Sequence, residues 1–236
     1  MSVFTDTLLR ELSGTPQLDS AALKLLEEYA GLMLEANEHI NLTAITDEEQ
    51  VAIKHFADSL YILKYVDIPH NARLLDVGTG AGFPGIPLLI ARPDLKVTLL
   101  DGTGKKLSFI ADSAQLLGLK VDTVHLRAEE GAKAPEMREK FDIVTARAVA
   151  DLQRLAEYCI PFVRKGGLFV AMKGADYGAE LEAAKNAVSV TGGSLFGEYS
   201  FKLGSGDGRS LIIIKKISQT PSIYPRASTA ISKKPL

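Results

Sequence analysis

The chain has no tryptophan and a single cysteine, Cys159. One cysteine excludes an internal disulfide and every cysteine-based metal cluster, and no metal site is expected. Its apolar setting, Glu-Tyr-Cys-Ile-Pro-Phe, suits a small buried hydrophobe better than a nucleophile. Long apolar runs are missing, so no membrane span is expected. The opening Met-Ser-Val-Phe-Thr-Asp lacks the basic start and apolar stretch of a signal peptide, which predicts a cytoplasmic protein. Without a secretory signal, the sequon Asn41-Leu42-Thr43 has no glycosylation meaning. Internal repeats and low-complexity blocks are likewise absent.

Acidic residues are missing from one place: none follows Asp207, whereas 6 of the 27 Lys and Arg do. Residues 1–207 therefore carry −8 and the remainder +6, although the whole chain is near neutral at −2. Such asymmetry predicts a tail (218–236) able to rest on phosphates, against the plain alternative of a solvated terminus.

What the sequence has in abundance is glycine, at one stretch: Leu-Leu-Asp-Val-Gly-Thr-Gly-Ala-Gly-Phe-Pro-Gly-Ile-Pro-Leu, residues 74–88. An apolar strand ends at Asp76, a glycine turn follows, and Pro84 opens an apolar helix. Two cofactor classes compete for such a turn. Gly80, Gly82 and Gly85 make the dinucleotide fingerprint, while Asp76, Gly78, Gly80 and Gly82 make the loop of S-adenosylmethionine methyltransferases. Asp76, two residues before the first glycine, favours the second reading, since it can orient the loop and meet a cationic amino group. Asp101, ending the next strand, fits a ribose diol in either.

Residues 1–66 read as a helical extension. A helix starts from the N-cap Asp19, a linker runs through His39–Thr46, and a second helix from Asp47 to Tyr65 places His55 and Asp58 on one face. From residue 67 to 217 the pattern becomes α/β. Strands are predicted at 72–77, 95–101, 121–126, 141–146 and 167–173, with helices at 84–92, 104–117, near 134–139 and 151–163 between them. A helix at 176–190 and two strands joined by Gly-Ser-Gly-Asp-Gly then close the chain as a hairpin. The prediction is a doubly wound, mainly parallel seven-stranded Rossmann-like sheet with an antiparallel C-terminal pair, a closure typical of class I methyltransferases. Ligands of such sheets collect at the carboxyl ends of the strands. Those ends carry Asp76, Asp101–Thr103, Arg127–Glu129, Thr145–Arg147 and Lys173; Glu129 suits an adenine amino group and Arg147 the edge of a substrate pocket.

At these residues the chain resembles the RsmG (GidB) family of bacterial small-subunit ribosomal RNA guanine-N7 methyltransferases. The similarity runs through Ile-Asn-Leu-Thr at 40–43, His-x-x-Asp-Ser at 55–59, the glycine stretch, Leu-Leu-Asp-Gly-Thr-Gly-Lys-Lys, Arg-Ala-Glu-Glu at 127–130, Ala-Arg-Ala at 146–148, Val-Ala-Met-Lys-Gly at 170–174, Gly-Asp-Gly-Arg at 206–209, Tyr-Pro-Arg and the final Lys-Lys-Pro-Leu. The resemblance implies S-adenosyl-L-methionine as cofactor and 16S ribosomal RNA, or a small-subunit precursor, as partner of a monomer. It implies cofactor contacts at Gly78, Phe83, Asp101, Thr103, Ala128, Glu129 and Arg147, to which the loop pattern adds Asp76 and Gly80. It further places Asn41, His55, Lys105, Lys106, Arg127, Lys173, Arg209 and the tail's Arg226 on the RNA face. Because guanine N7 already carries a free lone pair, no residue is expected to act as a chemical catalyst, and Arg147 and Lys173 are expected to position the substrate. The alternatives are an NAD(P)-dependent oxidoreductase, for which neither a Tyr-x-x-x-Lys pair nor a separate catalytic domain is present, and a small-molecule methyltransferase.

Overall fold

The computed structural model describes residues 2–13 and 18–236. Seven strands form one sheet in the order β3-β2-β1-β4-β5-β7-β6: β1 (Arg73–Val77), β2 (Lys96–Asp101), β3 (Val121–His125), β4 (Phe141–Arg147), β5 (Val163–Gly174), β6 (Gly193–Lys202) and β7 (Gly208–Lys216). The first five pair in parallel; β7 runs antiparallel to both β5 and β6. This is the predicted seven-stranded sheet with its terminal hairpin. The order reverses between β1 and β4, so the crevice of the fold opens beyond Val77 and Arg147.

Both faces are covered, which is why most of β1 and β4, and the stretch Phe169–Met172 of β5, are apolar and buried. On one face, α1 (Val3–Glu11), α2 (Ser20–Ile40), the helical run 48–65, α6 (Gly85–Ala91) and α7 (Gly104–Leu116) share a single apolar cluster with the sheet. The run 48–65 is α3 (Glu48–Val51), a π-helical stretch (Ala52–Ala57), α4 (Asp58–Leu60) and α5 (Ile62–Tyr65). On the other face, α8 (Ala128–Gly131), α9 (Leu152–Cys159) and α10 (Gly178–Val190) bury Cys159 and Phe162 among their neighbours. A last short helix, α11 (Ser228–Lys233), lies in the tail.

Local chemistry explains most boundaries. Asp19 accepts from the Ala22 N–H at 2.7 Å and so caps α2. Asp47 and Asp151 cap α3 and α9 in the same way. The helix predicted near 134–139 is absent. Around Pro135 only a single turn forms, the Met137 and Arg138 N–H groups both donating to the Ala134 carbonyl, before Glu139 at φ 55° ends it; the helix forms earlier instead, at α8, where the Glu130 carboxylate accepts from the Arg127 N–H. The second predicted helix is not one regular cylinder either, because its middle widens into the π-helical stretch.

α2 positions the glycine turn. Tyr29 is fully buried, and its hydroxyl donates to the Ala81 carbonyl at 2.9 Å. Phe4, Tyr29, Phe56 and Phe83 meet edge to face around it. Each such ring contributes about 1.5–3 kcal/mol by burial. The N-terminal helices thereby brace the loop from behind.

Candidate active site

The loop after β1 is held by two carboxylates. Asp76 is fully buried: Oδ2 accepts from Thr79 Oγ1 at 2.6 Å and from the Gly85 N–H at 3.1 Å, while Oδ1 accepts from Thr145 Oγ1 at 2.9 Å. Burial raises its pKa, against which these three donors act. Asp101 accepts from the Gly80 N–H at 3.0 Å with one oxygen and from the Thr103 N–H at 2.8 Å with the other. Gly80 has φ +61°, a conformation that side chains resist, and its open side has no atom within 4 Å of where a Cβ would stand. At Gly78 a Cβ would meet Val149 Cγ2 at 2.5 Å, so the turn after β4 leans on the glycine loop there.

Two cavities flank that turn. The first, of about 250 Å³, is lined by Gly78, Asp101, Arg127, Ala128 and Glu129 on one side and by Val149, Ala150, Arg154, Tyr158 and Ser228 on the other. The second, of about 610 Å³, is lined by Lys54, His55, Asp58, Arg147, Lys173, Glu180 and Arg209. The expected cofactor residues Gly78, Asp101, Ala128 and Glu129 thus come together in one cleft, with Gly80 joined to it through Asp101. Asp76 and Thr103 are not among its lining residues: Asp76 is buried beneath the loop and holds its shape, and Thr103 stands exposed at the start of α7. Arg147 lines the neighbouring cavity instead, and Phe83 lines neither: it is buried beneath the Arg147 guanidinium, which lies 5.2 Å from its ring centroid.

Arg147 is the hub of the second cavity. Its Nη1 donates to the carbonyls of Lys54 (3.1 Å) and His55 (3.4 Å) and to Asp58 Oδ2 (3.2 Å). Those acceptors sit in or beside the π-helical stretch, which, like many such bulges, lies at a site. Arg209 Nε lies 3.4 Å from Asp58 Oδ1, an oxygen that is buried and has no hydrogen bond. Two guanidinium groups therefore share one carboxylate. The ring of His55 stacks on Phe83 at 5.0 Å and pairs with Thr43 Oγ1 at 2.8 Å. Burial, and secondarily the Arg147 charge, push its pKa down to about 4, so it is neutral at physiological pH. Lys173 donates to the Ala150 carbonyl at 3.0 Å and pairs with Glu180 at 2.6 Å, tying the turn between the cavities to α10.

The other residues expected on an RNA face are dispersed. Asn41 ends α2 in the left-handed conformation (φ 47°) and is exposed. Lys105 is exposed and Lys106 half-buried in the first turn of α7, and Arg127 lines the first cleft. Arg226 forks onto Glu157, Nη2 to Oε2 at 2.7 Å and Nε to Oε1 at 2.9 Å. Sequence reasoning missed Lys54, Arg154, Tyr158 and Ser228 as lining residues. Only Lys54, next to His55, carried a signal that could have found it.

The rRNA small subunit methyltransferase G (GidB) family model matches residues 22–207. Ribosomal RNA small subunit methyltransferase G of Desulforamulus reducens is 48% identical over 89% of this chain and 88% of its own. Its counterpart in Pelotomaculum thermopropionicum is 45% identical over the full length of both chains. Among solved structures, geranyl diphosphate C-methyltransferase of Streptomyces coelicolor, in complex with S-adenosyl-L-homocysteine, superposes with a TM-score of 0.53 over 68% of this chain and 79% of its own at 13% identity. The [4+2]-cyclase SpnF does so at 0.57 over 87% and 99%, at 15% identity, a reminder that the fold alone fixes no reaction. Matched by the family model over most of its length and by full-length relatives at this identity, the chain belongs to the rRNA small subunit methyltransferase G family.

Proposed function

We propose that this protein transfers a methyl group from S-adenosyl-L-methionine to N7 of a guanine in 16S ribosomal RNA. The observation that carries this reading is the pairing of cavities: a glycine-edged cleft that presents the carboxylates of Asp101 and Glu129, and a pocket that gathers Lys54, Arg147, Lys173 and Arg209, separated by the turn from Arg147 to Ala150. The cleft fits the cofactor's chemistry. Gly80 is bare on its open side, Asp101 suits a ribose diol, and Glu129 suits an adenine amino group. When bound, S-adenosylmethionine supplies a methyl carbon made electrophilic by its sulfonium.

What remains for the protein is alignment and electrostatics. Guanine N7 presents a lone pair, so no base has to remove a proton before attack. The residues agree with that demand: His55 is neutral, with its ring engaged by Thr43 and Phe83, and Arg147 is fixed by Lys54, His55 and Asp58. Arg147 and Lys173 are positioning groups. Holding donor and acceptor in line contributes up to about 7–11 kcal/mol in favourable cases. Because the base becomes positively charged, the cations of the pocket serve phosphates rather than the ring. Beyond the pocket, exposed Asn41 and Lys105, with half-buried Lys106, offer further phosphate contacts, while Arg127 belongs to the cofactor cleft and Arg209 to Asp58. The major groove of an RNA helix is too deep and narrow for direct reading, so the target guanine is unstacked or in a loop. The protein acts as a monomer in the cytoplasm, where its RNA substrate is made. No helix among the described residues is long and apolar enough to cross a membrane.

The test is incubation with labelled S-adenosylmethionine and 16S RNA, free or in small subunits, followed by mass mapping. One methyl group on one guanine N7 is expected, with a rate nearly independent of pH between 6 and 9 and no competition by NAD. A methyl on an exocyclic amine, a steep pH dependence or rescue by added base would overturn the reading.

A further inference from the structure

The segment after β7 does not leave the body of the protein. The Thr220 N–H donates to Glu139 Oε1 at 2.8 Å, and the Arg138 guanidinium donates to the carbonyls of Thr220 and Tyr224, each at 2.9 Å. Arg226 then closes on Glu157, whose side chain is 1% exposed, with its guanidinium and also with its backbone N–H at 2.8 Å. Further on, Ile231 is fully buried, and the Gln153 side-chain amide donates to the Leu236 carbonyl. This course runs along α9 and brings Ser228 to the cleft that holds Asp101 and Glu129.

We propose that the segment Arg226–Leu236 is the outer wall of the cofactor cleft at its nucleoside end, with Ser228 against the bound adenosine and the Arg226–Glu157 pair as the peg that holds the wall in place. The inference rests on the cleft being the S-adenosylmethionine site. Gly78 lines the same cleft, but the strand order β3-β2-β1 sets the glycine bend across Asp101 from Ala128 and Glu129, and it is through the latter two that the nucleoside end is assigned to Ser228. Loops at strand ends cover one side of a bound nucleoside; α9 and the tail supply the opposite side, which burial in a cleft requires. Arg226, expected on the RNA face, is here a positioning residue for cofactor binding.

Calorimetry on the full chain tests this with two ligands: S-adenosylmethionine, and 5′-methylthioadenosine, which keeps the nucleoside and lacks the amino-acid end. Ser228→Trp should weaken both by about tenfold or more, because the larger ring fills space the ligand needs. Arg226→Ala should weaken both by about three- to tenfold through release of the wall. The two ligands should lose the same factor in each variant. Arg226→Ala strips a buried carboxylate of its partner and lowers stability as well; Ser228→Trp alters a half-buried rim position, and its ring, the only tryptophan in the chain, reports folding by fluorescence. Wild-type affinity in a folded Ser228→Trp variant, or a loss confined to S-adenosylmethionine, would overturn the wall. Failure of the unaltered protein to take up either ligand would overturn the cofactor reading itself, and the wall with it.

Discussion

His55 shows how much one side chain's surroundings decide. On sequence alone it shares a helix face with Asp58 and is expected on the RNA face. In the fold it is neutral, with a pKa of about 4 set first by burial and then by Arg147. That depression makes stability depend on pH with a definite sign. The unfolded chain protonates His55 near its ordinary 6.5 and the folded one only near 4, so the stabilisation is complete above 6.5 and is lost as pH falls to 4. About 2–3 kcal/mol should disappear between pH 7 and 4.5 through this residue. Urea unfolding of wild type and His55→Gln at both pH values measures it: the variant should lose less stability on acidification by that amount, and equal losses would place the histidine in water.

At the scale of elements, the glycine loop and its bracing helix act as one part. Gly82 has φ +86°, and a Cβ there would stand 2.6 Å from the Tyr29 hydroxyl and 2.7 Å from Ile86 Cγ1. Gly80 has a similar φ but open space. Gly82→Ala should therefore cost about 2–5 kcal/mol, backbone strain plus overpacking, and Gly80→Ala about 1–2 from strain alone. Thermal unfolding without cofactor checks the order; equal shifts would mean that Tyr29 yields freely.

The same elements explain what the sequence could and could not reveal. The strand ending at Asp76, its glycine turn and the Gly-Ser-Gly-Asp-Gly hairpin are written locally, in residues that only such turns demand, and the structure has them where the pattern places them. The helix near 134–139 fails because the turn begun at Ala134 stops at Arg138, where Glu139 takes φ 55° and the chain turns into β4. The π-helical stretch has no periodicity of its own over Ala52–Ala57 and so left no mark. Ser228 was invisible as a cleft residue because nothing local to it says that Arg226 will find Glu157, a partner distant in the chain.

For the whole molecule, the charge asymmetry acquires a different meaning. Of the six basic residues beyond Asp207, Arg209 lies against Asp58, Lys216 against Glu139 and Arg226 against Glu157. Half of the positive C-terminus thus complements the acidic body instead of projecting from it. RNA affinity should accordingly follow α7 more than these residues. Removing Lys105 and Lys106 together should flatten the slope of log affinity against log salt by roughly 1.5, whereas Arg226→Ala should leave that slope unchanged. Filter binding across a salt series measures both; a slope change of about one for Arg226→Ala would show that its pair opens onto phosphate.

The widened stretch Ala52–Ala57 also acts as a phase-setter. Each residue of a regular helix turns the chain by about 100°, so one residue more or fewer there would swing Asp58 away from the two arginines and leave their charges unmatched in the interior. The spacing from Thr43 to Asp58 is in this sense a ruler: a substitution within it alters a contact, but a change of length dismantles the pocket.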